Sequence, residues 1–235
     1  MNLFNSDSPI VRFLEKLANV MILNWLTLLC CIPIVTIGPA ITAAYWVTLK
    51  MVRNEEGGII QEFFHSFRVN LKQGMVVGLI VLGIAVFFAF DFYYIYQLTQ
   101  IGGLFDRFVF IALIFFAAVC IMVVNYVWAI LAKFNNTTKQ LFKTSFAIAV
   151  RHILASFVMG VISAAPFLML FWSPASFTIA VAFYIFFGIP GIAYLQSIFL
   201  VRIFDMYIPK NTDEENDEEN DEENDEEEEP ETLPD

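Results

Sequence analysis

The chain has 235 residues, of which 58% are hydrophobic and 26 are Phe; 24 Asp and Glu against 13 Lys and Arg give a formal charge of -11. That apolar content exceeds the roughly half-apolar composition of soluble domains and argues against an ordinary water-soluble fold. Sixteen of the acids lie within residues 212–235, so the remainder is mildly basic, with 8 acids against all 13 basic residues. The acidic balance therefore belongs to an appendage, and no basic footprint for nucleic acid is present.

Apolar runs long enough to cross a bilayer, about 20 residues each, lie near 17–37, 74–97, 104–132, 153–172 and 176–201. They predict an all-α, polytopic transmembrane helical bundle over residues 1–208, with five or six spans, followed by a disordered acidic tail over 209–235. Ahead of the first run, Ile10, Phe13, Leu14 and Leu17 recur at helical spacing, which predicts a short interfacial helix near 9–16. No small-x-small site closes that run cleanly, so a cleaved signal peptide is not expected.

The sixth candidate, near 38–52, has only about 15 residues and would cover about 22 Å at 1.5 Å per residue. It is short or re-entrant on this reading. Pro33, Gly38 and Pro39 interrupt regular helix hydrogen bonding between the two apolar runs, and Thr36 lies among them. Arg12 and Lys16 flank the region on one side, Lys50, Arg53, Arg68 and Lys72 on the other. Lys and Arg concentrate in cytoplasmic loops, so residues 17–52 form a hairpin with both ends inside. Lys50 and Arg53 anchor its cytoplasmic end, within reach of lipid phosphates.

Ile59, Ile60, Phe63, Phe64, Phe67 and Leu71 then line one face opposite Gln61, Glu62, His65 and Lys72, predicting a second interfacial helix near 58–73. Leu141, Phe142, Phe146, Ala149 and Val150 repeat the pattern near 138–151. Gln61, Phe63, Ser66, Phe67 and Lys72 align at a fixed offset with Gln140, Phe142, Ser145, Phe146 and Arg151. Duplicated modules of interfacial helix, span, span and mere compositional likeness both explain that match. The connections 98–103 and 173–175 contain no Lys or Arg, whereas Lys133, Lys139, Lys143 and Arg151 mark the third loop as cytoplasmic. Both termini are thus expected in the cytoplasm of a bacterial cell membrane.

Few residues carry candidate chemistry. Asp91 is the acid well inside an apolar run, but Tyr93, Tyr94 and Tyr96 beside it resemble an aromatic interfacial belt, which favours an anchor over proton coupling. Asn24, Thr27, Asn125 and Gln196 are polar groups suited to hydrogen bonding between helices. Cys30, Cys31 and Cys120 lie in apolar runs as small hydrophobes. No zinc-protease, serine-hydrolase, phosphate-loop or Cys-x-x-Cys motif occurs, so neither enzymatic activity nor a cofactor or metal is expected. The tail, three Asp-Glu-Glu-Asn repeats and a further acidic run, has no EF-hand geometry; it is either a solvated tail or a docking arm for a basic partner.

The stretch Cys31-Ile-Pro-Ile-Val-Thr-Ile-Gly-Pro-Ala40, continuing through Thr42, Ala43, Tyr45, Lys50, Arg53, Glu55, Glu56 and Gly57, resembles the YesL-like family of bacterial membrane proteins of unknown function. The similarity extends through Phe63, Phe64, Phe67, Asn70, Lys72 and Gln73 to Asp91-Phe-Tyr93. The resemblance implies a setting, since such proteins are commonly encoded beside carbohydrate transporters and glycan-degrading enzymes; transporter permease subunits are the partner expected from that setting, and the lipid bilayer the one expected from the apolar spans. The resemblance transfers no residue role. The expected function is a non-enzymatic accessory of carbohydrate uptake; a small secondary permease and a membrane scaffold or signalling adaptor are the alternatives.

Overall fold

Apolar runs bounded by Pro, Gly and Asn dictate a chain of helices, and a computed structural model, which describes residues 9–55, 57–99, 104–134 and 137–207, has that form throughout. Among the described residues there are no strands. The helices are α1 (Pro9–Cys30), α2 (Ile37–Arg53), α3 (Ile59–Val69), α4 (Leu71–Thr99), α5 (Leu104–Lys133), α6 (Thr138–Arg151), α7 (Ile153–Trp172), α8 (Pro174–Phe186) and α9 (Gly188–Asp205). Five are long and apolar enough to cross a membrane, six if α8 and α9 count as one bent span. The fold is a polytopic helical bundle. It divides into two compact units, Met1–Leu200 and Val201–Asp235; among the described residues the second contains the last turns of α9. The acidic tail expected over 209–235 lies outside the described residues.

The expected interfacial helix near 9–16 is not a separate element. α1 runs unbroken from Pro9 to Cys30, because nothing between them removes a backbone donor or favours a turn, and Pro9 suits the first helical position. Beyond α1, the Thr36 hydroxyl donates to the carbonyls of Cys30 at 2.7 Å and Pro33 at 2.8 Å. The first of these bonds satisfies an acceptor left over where α1 ends. A 3-10 turn, Ile34–Thr36, leads into α2, which carries Pro39 in its first turn and ends at Asn54 in the left-handed conformation (φ 57°).

α2 is the interior of the bundle. In its apolar stretch 61% of residues are buried, against at most 22% in the other candidate spans. Ala40, Ala43, Val47 and Met51 pack with Val20 and Leu23 of α1 and with Phe63 of α3. Where α2 begins, a Cβ on Gly38 would lie 2.0 Å from the Gly74 carbonyl oxygen, and one on Gly78 would lie 2.9 Å from the Gly38 Cα. Close backbone approach through small residues spaced four apart is how helices associate in lipid, where van der Waals packing replaces the hydrophobic drive. The bend of the hairpin therefore sits on the first two turns of α4, and Leu79–Thr99 continues past that contact for roughly 30 Å. At 17 residues α2 is longer than expected.

The two later modules share a construction. α3 starts at Ile59 and α6 at Thr138, positions that the sequence offset pairs, and each passes into a span through a single non-helical residue, Asn70 or His152. At the first break the Asn70 amide donates to the Ser66 carbonyl at 3.1 Å. At the second the Ser156 hydroxyl reaches the Ala149 and His152 carbonyls at 2.8 and 2.9 Å.

The single span expected over 176–201 is instead two helices bent by 80°. Pro190 lacks a backbone N–H, and its ring conflicts with the carbonyl four residues earlier, at Phe186. Gly188 supplies the left-handed turn that follows, at φ +40°. The Phe-Gly-Ile-Pro-Gly sequence at 187–191 is the local signal for this break.

Candidate functional site

The polar side chains within the apolar helices converge. The Tyr45 hydroxyl (α2) donates to Gln196 Oε1 (α9). Gln196 Nε2 donates to the Met159 carbonyl at 3.0 Å and to Ser163 Oγ at 2.7 Å, both on α7. Ser163 Oγ in turn donates to Asn125 Oδ1 (α5) at 3.0 Å. Four helices are thus tied by one directional chain of donors, with Tyr45, Gln196 and Asn125 all buried. Two further pairs flank it: Thr48 with Ser197 at 3.0 Å and Tyr126 with Ser156 at 3.0 Å. Such pairs are the expected partners of polar groups that have no water to bond. Asn125 Nδ2 is left buried without a partner.

Asn24 answers a different need. Its Nδ2 donates to the carbonyls of Tyr184 at 3.1 Å and Ile185 at 2.8 Å. In an unbroken helix those carbonyls would accept from the N–H groups of residues 188 and 189, so Asn24 takes over acceptors freed by the bend. Its own Oδ1 is unpartnered and faces Gly188, where an added Cβ would stand 2.3 Å away. Glycine at 188 is thus required by both the backbone angle and the packing.

A second cluster lies where α2 meets α3. Lys50 Nζ is 2.8 Å from Glu62 Oε1 and lies over the Trp46 ring, 5.0 Å from its centroid. Trp46 Nε1 donates to the other carboxylate oxygen at 2.9 Å. The hydrogen bonds from Lys50 and then Trp46 hold the Glu62 carboxyl below the usual carboxylate range, against a smaller opposing effect of partial burial. Lys50 is thereby committed to a protein carboxylate rather than presented to lipid phosphates. Nearby, Lys16 Nζ donates to the Met51 carbonyl at 3.1 Å and to Asn54 Oδ1 at 2.7 Å, capping the negative end of α2.

Of the residues singled out from sequence, Asn24, Asn125 and Gln196 lie in interhelical bonds, whereas the Thr27 hydroxyl bonds only within α1, to Leu23 at 2.8 Å. Pro33, Thr36, Gly38 and Pro39 shape the bend, and Arg53 closes α2. Asp91 lies on α4 and joins neither cluster. Tyr45 stands out in the sequence only through the family resemblance, and the hydroxyls of Ser163 and Ser197 do not stand out at all. The signal for them was weak: hydroxyls that satisfy themselves within a helix look the same in sequence as hydroxyls that bridge two. Among the described residues no cluster of His, Cys, Asp or Glu could hold a metal ion.

Both clusters draw on α2, and one comparison covers that helix. A family model described as "Protein of unknown function, DUF624" matches residues 20–92. The match takes in the second half of α1, all of α2 and α3 and most of α4, and so includes Tyr45, Lys50, Glu62 and the glycine contact between α2 and α4. Gln196, Ser163 and Asn125 lie outside the DUF624 match. No curated protein and no solved structure matches the chain.

Proposed function

We propose that this chain is a non-enzymatic accessory of carbohydrate uptake, held in a bacterial cell membrane with both termini on the cytoplasmic side and docked against transporter permease subunits. The observation that carries the non-transporting part of this reading is the chain Tyr45, Gln196, Ser163, Asn125. Its polar groups bond one another across four helices, whereas a permeation path needs such groups turned toward a shared aqueous cavity. The carbohydrate setting rests on the resemblance of residues 31–57 to the YesL-like family. The orientation is supported by basic residues in the last turns of α2, α5 and α6.

Mild cross-linking in native membranes of cells grown on oligosaccharides, followed by purification and mass spectrometry, tests the docking. Enrichment of permease subunits is the expected result, and their reproducible absence contradicts it. A second reading, a small permease, is favoured by one observation: the 80° break between α8 and α9, since discontinuous helices build substrate sites in several transporter folds. Saccharide flux by the reconstituted protein separates the two readings.

A further inference from the structure

Where α8 bends into α9, the chain leaves a groove against the first turns of α1. Its volume is about 340 Å³, within the range of small-ligand sites, about 300–1,000 Å³. Phe13, Leu17 and Val20 form one wall, and Phe183, Phe187 and Leu195 the other. Gly191 lies in the second wall, and the Phe187 side chain occupies the space next to it: a Cβ there would stand 2.9 Å from the Phe187 Cβ. Among the described residues a single charged one, Lys16, lines the groove.

Among the described residues Lys16 is fixed in place without meeting a carboxylate. Its two hydrogen-bond partners, the Met51 carbonyl and Asn54 Oδ1, are uncharged oxygens, and a lysine ammonium has three donors. Among the described residues no carboxylate is paired with it. Two acceptors among the described residues leave one donor direction of the ammonium over, beside an apolar groove. Lys50 makes the contrast, with its charge already met by Glu62.

An apolar groove lined by a lysine that meets no carboxylate among the described residues fits a molecule with a long hydrocarbon chain and an anionic head. We propose that this groove binds an anionic glycerophospholipid from the leaflet on the basic side of the bundle, one acyl chain lying between Phe13, Leu17, Phe183 and Phe187 and the phosphate on Lys16. Charge complementarity selects the occupant. The orientation proposed above makes this the cytoplasmic leaflet, whose surface is rich in anionic lipid; the site itself depends on the groove and Lys16, not on any role in carbohydrate uptake.

Native mass spectrometry of the full chain in mild detergent, titrated with dioleoyl phosphatidylglycerol or dioleoyl phosphatidylcholine, tests it. The wild-type protein retains the phosphatidylglycerol about fivefold more tightly, the worth of one lysine near a lipid phosphate. Lys16→Gln, which removes the charge but keeps a polar amide, loses that preference but still binds lipid. Lys16→Arg keeps the preference, and Leu17→Trp, which fills the groove, loses the tight lipid of either kind. Lys139→Gln, on α6, leaves the preference unchanged. Equal retention of the two lipids by the wild type overturns the proposal, as does an unchanged preference in Lys16→Gln with an unchanged melting midpoint.

Discussion

Gln196 on α9 reaches both α2 and α7 through its side chain, and Ser163 on α7 likewise links α9 with α5. Gln196 is fully buried and bonds Tyr45, Met159 and Ser163. Replacing it by Leu leaves a hydroxyl and a carbonyl short of partners in an apolar setting, at about 1–3 kcal/mol per stranded group. Hydrogen bonds between membrane helices measure nearer 0.6 kcal/mol on average, so the expected loss for Gln196→Leu is about 2 kcal/mol. Thr27→Val, which removes a bond internal to α1, costs well under half of that. Denaturant titration in mixed micelles measures both, and equal losses would show that the interhelical chain contributes nothing special.

Glu62 gives the pH dependence at the same scale. Its carboxyl titrates lower in the folded protein than in the unfolded chain because Lys50 and Trp46 bond the carboxylate. A group whose folded pKa is depressed stabilises the fold fully above its unfolded pKa and loses that contribution as pH falls through the folded value. The stability gap between wild type and Glu62→Gln is thus present at neutral pH and closes on acidification below the ordinary carboxylate range. For a partly exposed pair it amounts to about 0.2–1 kcal/mol. A gap that widens with acid contradicts this assignment.

At the scale of elements, the contact between α2 and α4 is the most sensitive to size. A methyl group on Gly38 would meet the Gly74 carbonyl at 2.0 Å, so Gly38→Ala must push the helices apart. Overpacking of this kind costs about 1–3 kcal/mol. Gly83, also on α4, has nothing within 4 Å of an added Cβ, and Gly83→Ala is expected to be neutral or slightly stabilising, since alanine favours helix by about 1 kcal/mol. Melting midpoints of the two variants test the pair; similar shifts would mean that this contact does not limit stability.

The elements legible in sequence were those with a strong period or a sharp boundary. α3 and α6 showed as amphipathic faces, α5 and α7 as long apolar runs, and Pro33 to Pro39 as a bend. Two features were harder to read. The break at Gly188 hides within an apolar run because hydropathy averages over the Pro and Gly that cause it. The centrality of α2 was obscured because its surface of Ala, Thr, Tyr and Val has the composition of a mediocre span, yet small side chains and hydroxyls are what let other helices close around it. Asn24 and Gln196 were visible as polar residues in apolar runs, but their partners, two carbonyls of α8 and a hydroxyl of α2, are set by tertiary contact.

For the whole molecule, a buried hairpin helix is tied by hydrogen bonds to α9, and through it to α7 and α5; the proposed non-transporting function takes this as a bundle that holds one arrangement. Reconstitution into proteoliposomes with a panel of mono- and oligosaccharides tests that account most directly, with orientation and folding checked. It predicts uptake equal to that of empty vesicles for both the wild type and Gln196→Leu. Saturable saccharide flux in the wild type, lost in Gln196→Leu while the protein remains folded, would contradict it and make the hydrogen-bonded chain part of a permeation path.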